Sequence, residues 1–230
     1  ICIQETWLKS TLQFSIHGYA VLRKDRINGS GGGGCAIFIK ENIKFIQMQI
    51  NTDLELNAVK VWTNNDVIKI INYYNPCKKI EKAKLETILR HWRGKIIWCG
   101  DFNAHSTLWG EQDDYNGGIL EELIEEIEMV VLNNGVGTRV DLIRGKESAI
   151  DLTLVSQSLA DSCSWKVYKN NTIGSDHYPI FVEVEMDIEE EQVESQGKWR
   201  FGDTNWENYK RISEGGMVKI DINKPINDLN

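Results

Sequence analysis

The sequence predicts an α/β domain in which short, mostly antiparallel strands outnumber the helices. Three observations carry that expectation. Runs of four to eight apolar or β-branched residues recur, each closed by Gly, Pro, Asn or Asp. Up to Tyr74 these runs are spaced like antiparallel neighbours. Two later segments instead place Leu and Ile at helical spacing with charges opposite.

Bulk properties bound the answer. A chain of 230 residues, 41% hydrophobic, is long enough for one large domain with a proper core. No apolar run approaches the ~20 residues needed to span a bilayer, so no membrane partner is expected. The start, Ile1-Cys2-Ile3-Gln4-Glu5, reads as the middle of a strand without an initiator Met, and the chain is expected to be a fragment. Five cysteines lack any Cys-x-x-Cys or zinc spacing, which fits a reducing compartment better than a disulfide framework. The net charge of −8 argues against a general nucleic-acid-coating protein. An acidic body can still bind polyanions where carboxylates hold a cation, because the ion inverts the local field.

Taken in order, residues 1–5 form a strand that delivers Glu5 at its end, followed by a Thr6-Trp7 turn. A short strand follows at 19–22. The run Asn28-Gly29-Ser30-Gly31-Gly32-Gly33-Gly34 is too flexible for an element interior. It lacks a Gly-Lys-Ser/Thr ending and leads into the strand 35–39, so it reads as a hairpin loop and not a phosphate cradle. Strands are expected at 43–50, 58–63 and 67–74, the last ended by Pro76. A helix is predicted over 78–93, with Leu85, Ile88, Leu89 and Trp92 on one face and lysines on a solvated one. The strand Ile96-Ile97-Trp98-Cys99 runs into Gly100-Asp101-Phe102-Asn103, which in an extended chain puts Asp101 and Asn103 on one side. A second helix is predicted over 119–130, then a hairpin of 140–143 with 149–155 around Arg144-Gly145-Lys146, and strands at 165–168 and 180–186. From Asp187 the composition becomes charged and poor in large apolar residues, which reads as a linker. Residues 188–230 carry nine acidic against six basic side chains, with Trp199, Phe201, Trp206 and Tyr209 as possible anchors.

Polar clusters stand at the ends of separate predicted strands: Glu5, Tyr74, Asp101 with Asn103, Asp151, and Asp176-His177 before the last strand. Asp151 interrupts the apolar strand Ala149-Ile150-Asp151-Leu152-Thr153-Leu154-Val155. A lone buried carboxylate there would cost several kcal/mol, so it calls for a histidine or a metal, and His177 is the candidate.

Gln4-Glu5-Thr6, Tyr74-x-Pro76, Gly100-Asp101-Phe102-Asn103, Ile150-Asp151-x-x-Leu154-Val155-Ser156 and Ser175-Asp176-His177-x-Pro179-Ile180 follow one another in order. Together they resemble the motifs of the endonuclease/exonuclease/phosphatase superfamily of metal-dependent phosphodiesterases. Within it the chain resembles the endonuclease domain of a non-LTR (LINE-type) retrotransposon polyprotein. Asn103-Ala104-His105 with Trp109-Gly110, Asn116-Gly117-Gly118 opening a helix, and Val131-Leu132-Asn133 carry that finer likeness. Trp199-Arg200-Phe201 with Asn205-Trp206 resembles the link toward a reverse transcriptase.

The resemblance implies a four-layer sandwich: two packed, mostly antiparallel β-sheets flanked by helices. It implies an endonuclease domain over residues 1–186 lacking its first strand, an acidic linker over 187–198, and the start of a region leading to a reverse transcriptase over 199–230. It also implies roles. Glu5 would bind Mg²⁺ (or Mn²⁺), with Asp176 in the metal or phosphate shell. Asp101 and Asn103 would orient and deprotonate the attacking water. Tyr74 and His177 would stabilise charge on the scissile phosphate, and Asp151 would hold the His177 ring. The implied activity is nicking of double-stranded chromosomal DNA, leaving a 3′-hydroxyl to prime the reverse transcriptase region of the same polyprotein. The protein would be made in the cytoplasm and act in the nucleus. Two departures stand out: the family's first-strand Asn would lie before Ile1, and Cys77 stands where abasic-site enzymes usually have Asn. The alternatives are a stand-alone abasic-site endonuclease or phosphatase of the same superfamily, or a truncated inactive remnant.

Overall fold

The computed structural model describes residues 1–26, 32–90, 92–110, 112–170, 172 and 174–186, together with Glu207 and Lys210. The expected linker and aromatic tail lie outside the described residues apart from those two positions, and so does much of the loop 28–34. Residues Ile1–Val193 make one compact unit.

Its centre is a six-stranded sheet. The strands are β4 (Phe45–Met48), β5 (Glu55–Trp62), β6 (Val67–Tyr74), β7 (Lys95–Asp101), β8 (Met129–Val131) and β11 (Asp151–Ser156), in the order β4-β5-β6-β7-β11-β8. Every pairing is antiparallel except β6 with β7. That parallel pair needs a crossover, which helix α1 (Lys82–Leu89) supplies.

One face of this sheet packs against α1 and α2 (Tyr115–Glu126). Leu85 and Leu89 of α1 and Leu120 and Leu123 of α2 join Tyr73, Trp98, Phe102 and Leu152 in the largest core cluster. Tyr73, Trp98 and Phe102 meet as tilted and edge-to-face rings with centroids 5.0–6.1 Å apart. Burial of each such side chain is worth roughly 1.5–3 kcal/mol, and the ring geometry adds a little more.

The opposite face carries a second, three-stranded sheet in the order β1-β3-β2, from β1 (Cys2–Gln4), β2 (Tyr19–Lys24) and β3 (Cys35–Lys40). There Ile37 and Ile39 pack on Val59 and Val61. The ribbon of β12 (Cys163–Val167) with β13 (Ile180–Val184), together with α3 (Gln157–Ala160), covers Ile68, Ile97 and Val155. The α/β sandwich of two packed sheets is therefore present. Asn72 bolts the layers: its side-chain amide, fully buried, donates to the carbonyls of Ile3 (3.1 Å) and Ala36 (2.9 Å) and accepts from Gln4 (2.5 Å).

Three predicted boundaries are corrected. The helix expected over 78–93 spans only Lys82–Leu89. The Asn75 side chain first closes a turn, donating to Lys78 O and accepting from Lys78 N. The lysine face is ion-paired as well as solvated, Lys82 with Glu122 and Glu126, Lys84 with Asp53 and Glu81. The helix expected over 119–130 begins a turn earlier, because Asp114 caps Gly117 N at 2.7 Å, and it ends before Met129–Val131, which is a strand. The expected hairpin of 140–143 with 149–155 is shorter. It pairs β9 (Arg139–Val140) with β10 (Glu147–Ser148), and β11 belongs to the central sheet. The Asp151 strand read as a hairpin partner because sequence neighbours pair most often. Here β7, about fifty residues upstream, takes it instead.

Candidate active site

Strand register assembles the site. Glu55 lies opposite Tyr74, Tyr74 opposite Asp101, and Asp101 opposite Asp151, so one row of polar residues crosses β5, β6, β7 and β11 at a single edge of the sheet. β6 and β7 end there and β5 and β11 begin there, so an otherwise apolar sheet presents its polar residues along one rim.

Gly100 shows how tightly the rim is packed. A Cβ at that position would lie 1.8 Å from the carbonyl oxygen of Tyr73, with φ at +151°. Only glycine lets β7 approach β6 closely enough to set Asp101 beside Tyr74. Asp101 and Asn103 do come together, though not through the extended chain expected from their spacing. Asn103 adopts φ +45°, and its amide turns back to donate to Asp101 Oδ2 at 3.0 Å and to Asn75 O at 2.8 Å. Phe102 between them is fully buried in the core.

Asp151 is 7% exposed and has the partner its burial demands. His177 Nδ1 lies 2.9 Å from both of its carboxylate oxygens, and Thr138 Oγ1 donates to Oδ2 at 2.7 Å. Thr138 Oγ1 also accepts from the Ile150 and Asp151 amides, at 3.1 and 3.0 Å, which fixes the entry into β11. Asn133 completes the brace by donating to Asp151 O at 2.9 Å. On the other side of Asp101, the Tyr74 hydroxyl donates to Glu5 Oε1. Glu5 follows β1 in a left-handed conformation, φ +52°, and the next two amides, Thr6 and Trp7, donate to Gly34 O and Gly33 O.

The electrostatics follow from crowding acids into a buried rim. Burial, then the neighbouring Asp151 charge, pushes the Asp101 carboxyl up to about 7. Burial pulls the His177 imidazole down, but the Asp151 hydrogen bond and the surrounding carboxylates outweigh it, leaving the ring more basic than usual. Burial also raises Asp176, yet the Arg139 hydrogen bond and nearby positive charge hold it below the usual carboxylate range. Tyr74 is pushed up by burial and by its bond to Glu5, so it stays a proton donor.

Ligand atoms of Asp101, Asp151 and His177 lie within 4.8 Å of one another. Both Asp151 oxygens and the near His177 nitrogen are already committed to each other, so that pair reads as a hydrogen-bonded dyad. The metal ligands expected from sequence, Glu5 and Asp176, fall outside this trio: Glu5 is held by Tyr74 and Asp176 by Arg139 (2.8 Å). The donors of the rim are still carboxylate oxygens with a net excess of negative charge, which suits a hard divalent cation.

Several contributors were missed in the sequence. Glu55 begins β5 three residues before the predicted start, where it receives Arg26 Nε at 2.7 Å and the Gly34 amide. Thr138 and Arg139 precede a turn and carried no signal.

The fold matches that of the endonuclease/exonuclease/phosphatase superfamily. A family described as endonuclease-reverse transcriptase matches residues 68–181. The chain is 26% identical to the endonuclease domain of TRAS1, a telomere-specific non-LTR retrotransposon, covering 74% of this chain and 82% of that one with a TM-score of 0.64. It is 28% identical over 194 residues to a probable RNA-directed DNA polymerase from transposon BS of Drosophila melanogaster, a match covering 81% of this chain and 21% of the Drosophila protein. The chain thus spans about a fifth of that relative's length. A 3′–5′ exonuclease from Neisseria meningitidis shares the fold at 16% identity and a TM-score of 0.60, over 80% of this chain and 88% of that one. The chain thus resembles the endonuclease domain of a non-LTR retrotransposon.

Proposed function

We propose that this chain is a divalent-metal-dependent DNA endonuclease of a non-LTR retrotransposon. It nicks double-stranded target DNA by phosphodiester hydrolysis and leaves a 3′-hydroxyl for the reverse transcriptase region of the same polyprotein. Its place of action would be the nucleus, after synthesis in the cytoplasm. The observation that supports this most is the Asp151–His177 dyad one strand from Asp101, with the Tyr74–Glu5 pair on the other side.

Each residue has work suited to its surroundings. Asp101, poised near neutrality and steadied by Asn103, would take a proton from the attacking water. His177, more basic than usual and fixed by Asp151 through Nδ1, would offer an N–H from its other nitrogen to the phosphoryl oxygen on which charge builds. The Tyr74 hydroxyl would donate on the opposite side. Glu5, with Asp176, would hold Mg²⁺ (or Mn²⁺), which when bound supplies charge neutralisation on the phosphodiester.

The test is plasmid nicking with Mg²⁺ and with EDTA, for the wild type and His177→Ala, followed by polymerase extension from the nick. Mg²⁺-dependent nicks that a polymerase extends, with ~10²–10³-fold slower cutting by His177→Ala, are expected. Full activity in chelator, or an unimpaired variant, would overturn the proposal.

A further inference from the structure

We propose that Arg139 is a DNA-phosphate ligand of this cleft, reaching a backbone phosphate oxygen beside the one served by His177. The inference rests on the endonuclease reading and adds to it a residue that the sequence did not single out.

The first argument is directional. Arg139 and His177 face each other in an isolated antiparallel bridge. Residues directly opposite in an antiparallel pair project to the same side. The His177 ring lies against Asp151, so the Arg139 side chain leaves its strand on the site's side as well. The segment is held firmly there. Val140 N donates to Asp176 O at 2.8 Å and Tyr178 N to Thr138 O at 2.7 Å, bracketing Arg139 from both ends.

The second argument is charge. Glu5, Asp101, Asp151 and Asp176 crowd this rim, and a phosphodiester entering it is another anion. Arg26, the guanidinium near Tyr74, is bonded to Glu55 by Nε and lies over the Tyr74 ring at 5.9 Å. Arg139 instead donates Nε to Asp176 at 2.8 Å, and its side chain remains 43% exposed. That bond uses one of the five donors a guanidinium carries in a planar fork suited to phosphate.

The third argument is energetic. A half-exposed ion pair contributes only ~0–1 kcal/mol to stability, so stability alone gives little reason for Arg139 here. The bond to one Asp176 oxygen steadies the guanidinium at the rim and leaves its remaining donors for a phosphate.

The test is binding of a fluorescent duplex oligonucleotide, with Ca²⁺ replacing Mg²⁺ to suppress turnover, over about 50 to 200 mM salt. Wild type, Arg139→Lys, Arg139→Gln and Arg139→Ala would be compared, with thermal melting as the folding control. One lost phosphate contact lowers the slope of log affinity against log salt by ~0.9. That loss is expected for Arg139→Gln and not for Arg139→Lys, with nicking by Arg139→Gln falling ~10-fold or more. If Arg139→Gln keeps both slope and rate, Arg139 only supports Asp176 and the proposal is wrong. Should Arg139→Gln fail to fold, Arg139→Ala decides: a slope lower by ~0.9 supports the proposal and an unchanged one overturns it. A wild type that neither binds nor nicks DNA would sink the endonuclease reading itself, an outcome distinct from any of these.

Discussion

Replacing Asp101 with Asn should abolish nicking and yet stabilise the metal-free protein at alkaline pH. The carboxyl is 3% exposed, faces Asp151 across the strand pair, and titrates at about 7 instead of 3.8. An acid whose folded pKa is raised binds more protons folded than unfolded, so stability falls as pH rises between the two values. With ~1.4 kcal/mol per unit, about three units of displacement amount to ~4 kcal/mol of destabilisation at pH well above 7. Asn removes that charge but keeps one acceptor for Asn103, which now donates to both carboxylate oxygens. Losing one such bond costs ~1 kcal/mol, leaving a net gain of ~3 kcal/mol. Urea unfolding in EDTA would measure it, with wild type and Asp101→Asn compared at about pH 5 and about pH 8.5. At about pH 5 the two should lie within ~1 kcal/mol of each other, because the part of the charge cost already present there roughly offsets the lost bond, and they should diverge in base with the variant more stable. The His177 ring, made more basic by Asp151, also titrates, which is why the difference between proteins, and not the wild-type curve alone, is the readout. A variant less stable than wild type in base would refute the claim that Asp101 is an unfavourably buried charge.

Two further outcomes are expected. Asp151→Asn should slow nicking by ~10–10³-fold and lower the pKa of His177, read from its imidazole NMR shift, because an amide cannot stabilise the charged ring as the carboxylate does; an unmoved His177 titration would refute the dyad. Gly100→Ala should destabilise by ~1–3 kcal/mol or more in a urea melt, since its Cβ collides with backbone and not with a movable side chain; a neutral substitution would show that β6 and β7 can part without cost.

Much of the site was legible because polar residues at the ends of apolar strands are conspicuous. Asp151 in a run of Ile, Leu and Val could be buried only with a partner, and the His177 pairing follows from that cost. Strand positions were equally readable where alternation or β-branching was dense, as in β6. What escaped was information that lives in tertiary contacts. Thr138 braces Asp151 from thirteen residues away and Glu55 receives Arg26 from twenty-nine, with no local pattern to betray either. The start of α2 was misplaced because the Asp114 side chain, not periodicity, decides where it begins, and ahead of α1 the Asn75 side chain holds residues 75–78 in a turn. The turn at Asn103 was invisible for a similar reason: its left-handed backbone is held by Asn75 and Asp101 together.

The parallel pairing of the central sheet, β6 against β7, has a consequence for how the gene can change. Because Tyr74 and Asp101 meet through register, an inserted codon within either strand would turn every later side chain to the opposite face, sending the rim residue into the core. The same insertion between Cys77 and Glu81, or in the turn at Asp141–Lys146, would leave that alignment alone. Tolerance to insertions along this chain should therefore map the ladder, sharply forbidden within it and permissive a few residues beyond. A drifting element could vary its loops freely while its frame of strands stayed fixed residue for residue.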